Sequence, residues 1–219
     1  MLKKIKILLV DDHPLVREGL VNLIHQQPDF EVCGEAAGES QALAAMASAK
    51  PDVAVVDISL ENGSGLDLIK NVKAMYPEVA MLALSMHDES LYAERALRAG
   101  ARGYLMKREA AGKVIDGIRA VLAGQLFVSE KIASQMTEKF VSGRPAASAS
   151  PVELLSDREL EVFQLLGRGQ GTRQIAEHLH VGFKTVQAYC ARIKEKLQLA
   201  NATELLRAAM QWHENHPSE

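Results

Sequence analysis

No apolar run in this chain of 219 residues approaches the roughly 20 needed to cross a bilayer, so no transmembrane helix is expected. The first residues, Met1-Leu2-Lys3-Lys4-Ile5-Lys6, lead into only a short apolar stretch before Asp11-Asp12, which does not read as a secretory signal. Cysteine is scarce. Cys33 and Cys190 lie far apart in what read as different domains, so a disulfide framework is not expected and a reducing cytoplasm is the expected compartment. An excess of positive charge is also missing. A formal net charge of -3 argues against a broad nucleic-acid-coating surface but leaves room for a local basic helix. No internal repeat links the two halves of the chain. What remains, 47% apolar and 24% charged, is the make-up of a soluble globular protein with room for one large or two ordinary domains.

The first half alternates between two periodicities. Ile5–Val10, Phe30–Ala36, Val53–Asp57, Val79–Leu84 and Arg102–Met106 read as short strands rich in β-branched and aliphatic residues, several of them unbroken apolar runs. Between them lie amphipathic stretches. One has Pro14 in its first turn and Val16, Leu20, Leu23 and Ile24 on one stripe. Others span Glu39–Ala49, a segment ending near Met75, and a segment from Asp88 as cap to Ala99, stopped by Gly100. The last carries Val114, Ile115, Ile118, Val121 and Leu122 on one face and runs to Gly124. Five strand–helix alternations at this spacing predict a doubly wound, five-stranded parallel sheet. A further helix is expected near Ser129–Val141, then a small, polar, Pro-bounded linker over residues 142–151. Beyond it no strand signal remains. Four short helices are expected at Ser156–Arg168, Thr172–His180, Phe183–Leu197 and Ala202–Trp212, the first opened by the capping box Ser156-Asp157-Arg158-Glu159.

Open α/β sheets place their chemistry at the carboxyl ends of the strands. Here those ends carry Asp11, Asp12, Asp57, Ser85 and Lys107. Singly, each residue can be read as a strand terminator. Together they crowd one edge with charge, and two carboxylates about 5 Å apart at an effective dielectric of about 20 repel by roughly 3 kcal/mol. Such a cluster suits a hard divalent cation; Mg²⁺ binds through one or two carboxylates plus phosphate oxygens. The cation would screen the repulsion and polarise a phosphoryl group, and Lys107 would neutralise another of its oxygens. Asp57 would be the nucleophile and Ser85 a hydrogen-bond partner of the new phosphate.

Over about 125 residues the chain resembles the receiver domains of bacterial two-component response regulators, which have a flavodoxin-like fold. Val10-Asp11-Asp12-His13 resembles the acidic metal-binding pair, Val55-Val56-Asp57 the phospho-acceptor strand, Leu84-Ser85 the hydroxyl switch position, and Gly103-Tyr104-Leu105-Met106-Lys107 the aromatic-then-lysine strand. The resemblance implies that Asp57 accepts a phosphoryl group from a cognate histidine kinase. It also implies that Mg²⁺ is held by Asp11, Asp12, Asp57 and the backbone carbonyl of Ser59. Ser85 and Tyr104 would couple phosphorylation to the surface of the fourth helix, fifth strand and fifth helix. Glu61-Asn62 replaces the Pro-Gly turn that many members have after the acceptor, and Arg108 stands where many carry Pro. An extra carboxylate at Glu61 would slow anionic phosphodonors or alter the lifetime of the acyl phosphate.

From Leu155 onward the chain resembles the LuxR-type (NarL/FixJ) helix-turn-helix output domain. The carrying residues are Leu155-Ser156-Asp157-Arg158-Glu159-Leu160-Glu161-Val162, Gln174-Ile175-Ala176-Glu177-His178-Leu179, Lys184-Thr185-Val186, Ile193, Lys196-Leu197 and Ala202-Thr203-Glu204-Leu205. The third helix has Val186, Tyr189, Cys190, Ile193 and Leu197 at core spacing. Its outer face reads as a solvated surface or, by the resemblance, as the element that enters the major groove. Lys184 and Gln187 would then reach base edges, with Thr185 beside them, and Ala188 or Ala191 would meet a thymine methyl. Arg192, Lys194 and Lys196 would meet phosphates. Gln187 and Tyr189 stand where relatives usually carry Lys and His, and Gly171-Thr172 where Ser-Asn is common. Residues 150–219 carry eight Lys/Arg against nine Asp/Glu. Few phosphate contacts follow, so tight binding would need a dimer on paired half-sites, with Leu205, Leu206, Ala209 and Met210 of the last helix as the dimer surface.

The sequence therefore reads as a receiver domain over 1–125, a linker helix and flexible linker over 126–151, and a small all-α DNA-binding domain over 152–219. The expected function is that of a cytoplasmic transcriptional response regulator, not a stand-alone enzyme. It would bind double-stranded promoter DNA and no membrane, and would form a homodimer on phosphorylation. Two other readings stay open. One is a receiver-type protein-interaction module with weakened DNA binding. The other is a Mg²⁺-dependent small-molecule phosphotransferase of the haloacid-dehalogenase kind, which would need an acid two residues after the nucleophile, where Ser59 stands.

Overall fold

The structure, a computed structural model, describes residues 4–60, 63–86, 89–142 and 151–215. Glu61 and Asn62 of the altered turn, the capping Asp88 and linker residues 143–150 lie outside the described residues. The chain divides into two compact units, Met1–Ser134 and Gln135–Glu219.

In the first unit, strands β1 (Ile5–Val10), β2 (Phe30–Ala36), β3 (Val53–Asp57), β4 (Ala80–Ser85) and β5 (Gly103–Met106) alternate with helices α1 (Pro14–His25), α2 (Glu39–Ala49), α3 (Gly65–Met75), α4 (Glu89–Ala99) and α5 (Ala110–Leu122). All neighbours pair in parallel, in the order β2-β1-β3-β4-β5, so the doubly wound sheet expected from the sequence is present. β3 is buried at every position because helices cover both faces of its central place in the sheet. The core joins Ile7, Leu9, Val55, Leu82 and Leu84 of the sheet to Leu20 and Ile24 of α1 and to Val114, Ile118 and Val121 of α5. Strand order reverses between β1 and β3, and the crevice at such a reversal is where folds of this type bind ligands.

Two features exceed the sequence pattern. Lys107–Glu109 forms a single 3₁₀ turn between β5 and α5, and the Lys107–Arg108 peptide is trans. Beyond α5 the chain returns to the sheet: Tyr104 N donates to Phe127 O at 2.8 Å and Phe127 N to Arg102 O at 3.0 Å. Phe127 packs closely against two glycines; a Cβ at Gly103 or Gly117 would stand 3.1 Å from its side chain. Helix α6 (Glu130–Ser142) follows.

The second unit contains α7 (Asp157–Gly167), α8 (Thr172–His178), α9 (Phe183–Lys196) and α10 (Ala202–Asn215), preceded by a 3₁₀ turn at Pro151–Leu154. The capping box is formed: Ser156 N donates to Glu159 Oε2 at 2.8 Å. Leu160, Val162 and Phe163 of α7 are buried, with Val186 and Ile193 of α9 and Leu205 and Ala209 of α10. Phe163 meets Trp212 edge to face at a centroid distance of 6.0 Å. Burial of Leu205 and Ala209 corrects the expected dimer surface. The domain's own core takes the stripe they share, and only Leu206 and Met210 of that set remain exposed.

Among the described glycines, Gly65, the first residue of α3, leaves the least room for a side chain. A Cβ there would lie 1.9 Å from the carbonyl oxygen of Asp57 and 2.7 Å from Ile58 Cα, both rigid backbone. Gly65→Ala is therefore expected to lower stability by about 1–3 kcal/mol. Gly112→Ala, in open space on α5, is expected to be neutral or to gain up to about 1 kcal/mol. Urea denaturation of both variants checks the contrast.

Candidate functional site

Each strand of the crevice delivers polar residues at its carboxyl end. β1 runs into Asp11-Asp12, β3 closes on Asp57, β4 on Ser85, and β5 leads into Lys107. The adjacent registers Asp57↔Leu84 and Ser85↔Met106 hold these ends at one level. Asp11, Asp57 and Ser85 are buried. Lys107, whose side chain is only 6% exposed, places its Nζ 2.6 Å from Asp11 Oδ2 and 2.7 Å from Asp57 Oδ2. Ser59 N donates to Asp57 Oδ1 at 3.1 Å, and His13 N donates to Asp11 Oδ1 at 2.8 Å. Tyr104 is buried on β5, paired with Ala83.

One ammonium faces three carboxylates, and the imbalance shows in the acid–base chemistry. Burial pushes the Asp57 carboxyl up to about 6, against the downward pull of the Lys107 ammonium and its hydrogen bond; the nearby Asp11 charge adds to the rise. Burial alone would lower Lys107, but Asp57 and Asp11 outweigh it and raise the ammonium above its ordinary value. Asp57 is thus ionised at neutral pH and paired.

Ligand atoms of Asp11, Asp12, His13 and Asp57 lie within 4.8 Å of one another. The donor set fits a hard divalent cation: three carboxylates hold more negative charge than Lys107 offsets, and their oxygens are the ligands such ions take. His13 was not singled out by sequence reasoning. Its Nδ1 lies 2.8 Å from Asp12 Oδ1, and its ring is 62% exposed at the mouth of the cluster. Arg17 was missed as well, because on an amphipathic helix it reads as a solvated residue; its Nη1 bonds the Asp11 carbonyl oxygen.

In the second unit, α9 buries Val186 and Ile193 and leaves Lys184, Thr185, Gln187, Ala191 and Arg192 exposed, with Ala188 and Lys194 half-buried. The Arg192 guanidinium lies 5.5 Å over the Tyr189 ring. Lys196 is placed differently from the other expected phosphate contacts. Its Nζ lies 2.6 Å from Oε2 of the buried Glu159 and donates to Leu154 O at 3.2 Å. Burial would raise the Glu159 carboxyl, but the bonds from Lys196 and Ser156 hold it below its ordinary value. Arg173 of α8, which sequence reasoning passed over, lies 5.9 Å over the ring of the exposed Phe183 beside Lys184.

Among the described residues no helix is long and apolar enough to cross a membrane. Residues 7–119 match the response regulator receiver domain family, and residues 153–209 match the luxR family of bacterial regulatory proteins. The chain is 35% identical over 209 residues to the oxygen regulatory protein NreC of Staphylococcus haemolyticus, covering 94% of this chain and 96% of that one. Among solved structures it is similar to a LuxR-family two-component response regulator from an Aurantimonas species. That likeness has 34% identity and a TM-score of 0.58, and covers 64% of this chain and 99% of the other. RcsB from Salmonella enterica serovar Typhimurium, solved bound to promoter DNA with the phosphomimetic BeF3-, shares the fold at a TM-score of 0.66. Its identity is 23%, over 95% of this chain and 100% of RcsB.

The raised Asp57 carboxyl predicts a specific pH dependence. The native site binds this proton more tightly than the unfolded chain, whose carboxyl keeps its ordinary 3.8. The stability this group contributes is present below about pH 4 and is lost as pH rises through about 6. The gap corresponds to roughly 3 kcal/mol. Urea denaturation from pH 4 to 7 in a chelator should show the parent losing that stability relative to Asp57→Asn.

Proposed function

Starting from a chain that belongs to the DNA-binding response regulators of two-component systems, with a receiver domain and a LuxR-type domain, we propose that phosphorylation of Asp57 is its switch. The observation that carries this reading is the buried Lys107 ammonium lying between the Asp11 and Asp57 carboxylates. An ionised Asp57 oxygen attacks the phosphorus of a phosphohistidine on the kinase. An O–P bond forms, the N–P bond breaks, and the electron pair and a proton go to the departing imidazole. Asp11, Asp12, Asp57 and the Ser59 carbonyl would hold Mg²⁺, which would offset charge on the phosphoryl oxygens. Lys107 follows one of those oxygens, and Ser85 hydrogen-bonds the product. Tyr104 answers the move of Ser85, since both are buried on adjacent strands.

Phosphorylation then biases an existing equilibrium toward a homodimer that binds promoter DNA in the cytoplasm. Residues 1–125 serve as the receiver, 126–151 as the connection and 152–219 as the DNA-binding domain. On α9, Lys184, Thr185 and Gln187 face base edges, Ala188 and Ala191 offer methyl contacts, and Arg192 and Lys194 meet phosphates. Lys196 contributes through the ion pair that fixes α9 against Glu159 and reaches phosphate only if that pair opens. The chain acts as a switch and not as a stand-alone enzyme.

A second reading, an interaction module with weakened DNA binding, draws support from the near-neutral DNA-binding half and from the engaged Lys196. Selection from a random DNA pool separates the two: enrichment of one sequence supports the regulator, and no enrichment at low salt supports the module.

The direct test is incubation with acetyl phosphate and Mg²⁺, read by intact mass, with oligomeric state measured on the same samples. One phosphoryl adduct and a shift toward dimer are expected in the parent, and neither in Asp57→Ala. An adduct that survives Asp57→Ala would overturn the assignment of Asp57.

A further inference from the structure

Arg17 sits on α1 and reaches back to the acidic turn after β1. Its Nη1 donates to the backbone carbonyl oxygen of Asp11 at 2.5 Å, and its Nε donates to Glu35 Oε2 at 3.3 Å. The Arg17 side chain is 18% exposed and its contact with the Asp11 carbonyl is partly buried and charge-assisted, whereas Glu35 is 48% exposed. Asp11 is also held on its other side, where its N–H donates to Ala36 O at 3.0 Å at the end of β2. The carbonyl that Arg17 grips belongs to the peptide joining Asp11 to Asp12. One guanidinium therefore orients the peptide plane from which two carboxylates depart, and it takes its own orientation from β2 through Glu35.

We propose that Arg17 is a positioning residue for the cation site, holding the Asp11–Asp12 peptide so that both carboxylates converge with Asp57. The inference rests on the reading of Asp11, Asp12 and Asp57 as Mg²⁺ ligands. Positioning and plain electrostatics make opposite predictions. A cation beside a cation site repels the incoming ion, so loss of the Arg17 charge alone would tighten Mg²⁺ binding. Loss of an outer group that orients ligands weakens binding, typically by about 10–100-fold.

The test is Mg²⁺ affinity of the full-length chain by isothermal titration calorimetry, for the parent, Arg17→Ala and Arg17→Lys, with folding checked by circular dichroism. Arg17→Ala is expected to bind Mg²⁺ about 10–100-fold more weakly. Arg17→Lys should fall between it and the parent, because a single ammonium keeps the charge but cannot fork between the Asp11 carbonyl and Glu35. A merely structural role would lower the melting temperature and leave Mg²⁺ affinity unchanged. Equal or tighter Mg²⁺ binding by folded Arg17→Ala overturns the proposal. Should that variant not fold, parent-like affinity in Arg17→Lys overturns it. A parent that binds no Mg²⁺ removes the cation-site reading and this inference with it, a result distinct from a parent that binds and variants that do not shift.

Discussion

A single buried ammonium keeps the crevice of the first unit together. Lys107 touches Asp11 and Asp57 at 2.6 and 2.7 Å, and its charge offsets the repulsion between the two buried carboxylates. Desolvation makes the ionised Asp57 costly and raises its carboxyl to about 6, so the crevice carries electrostatic stress in its resting state. The parallel sheet makes the convergence possible, because only a common strand direction brings four carboxyl ends to one edge. Gly65 lets α3 begin directly against the Asp57 carbonyl, where any side chain would collide.

The second unit answers the same problem of buried charge in a structural way. Glu159 closes the capping box of α7 and, through the same oxygen, receives Lys196 at the end of α9. One carboxylate thus sets both the start of one helix and the position of another. The helix that offers Lys184 and Gln187 to solvent is braced at its far end by this pair and along its inner face by Val186 and Ile193. A rigid inner face is what allows an outer face to be read by a partner.

Much of the crevice was legible in the sequence, for a physical reason. Apolar runs mark buried parallel strands, the doubly wound topology places their ends together, and so Asp11, Asp12, Asp57, Ser85 and Lys107 converge by pattern alone. The residues that escaped are those whose role depends on reach across elements. Arg17 looks like any polar residue on an amphipathic helix until its guanidinium is seen on the Asp11 carbonyl. Lys196 shares the basic face of α9, and no periodicity reveals a partner 37 positions away. Leu205 and Ala209 follow the same apolar stripe whether it faces a second copy or the domain's own core, and here the core takes it. Phe127 follows α5 with no strand-like neighbours to announce it, and Gly103 and the mid-helix Gly117 are the traces of its seat.

The return of Phe127 to β5 bears on where the first unit can be cut. An outer strand with open N–H and C=O groups is a template for pairing with other chains. In this protein the segment after α5 answers the Tyr104 amide and the Arg102 carbonyl, and its ring fills the recess over Gly103 and Gly117. A fragment ended at residue 125 would shed that cover. It would keep its complete acidic crevice and still carry a sticky margin and a hollow beside the strand that holds Tyr104. The few residues after α5 thus cover part of the β5 edge as well as lead onward, and a fragment that retains them through Ser129 keeps both of those backbone bonds.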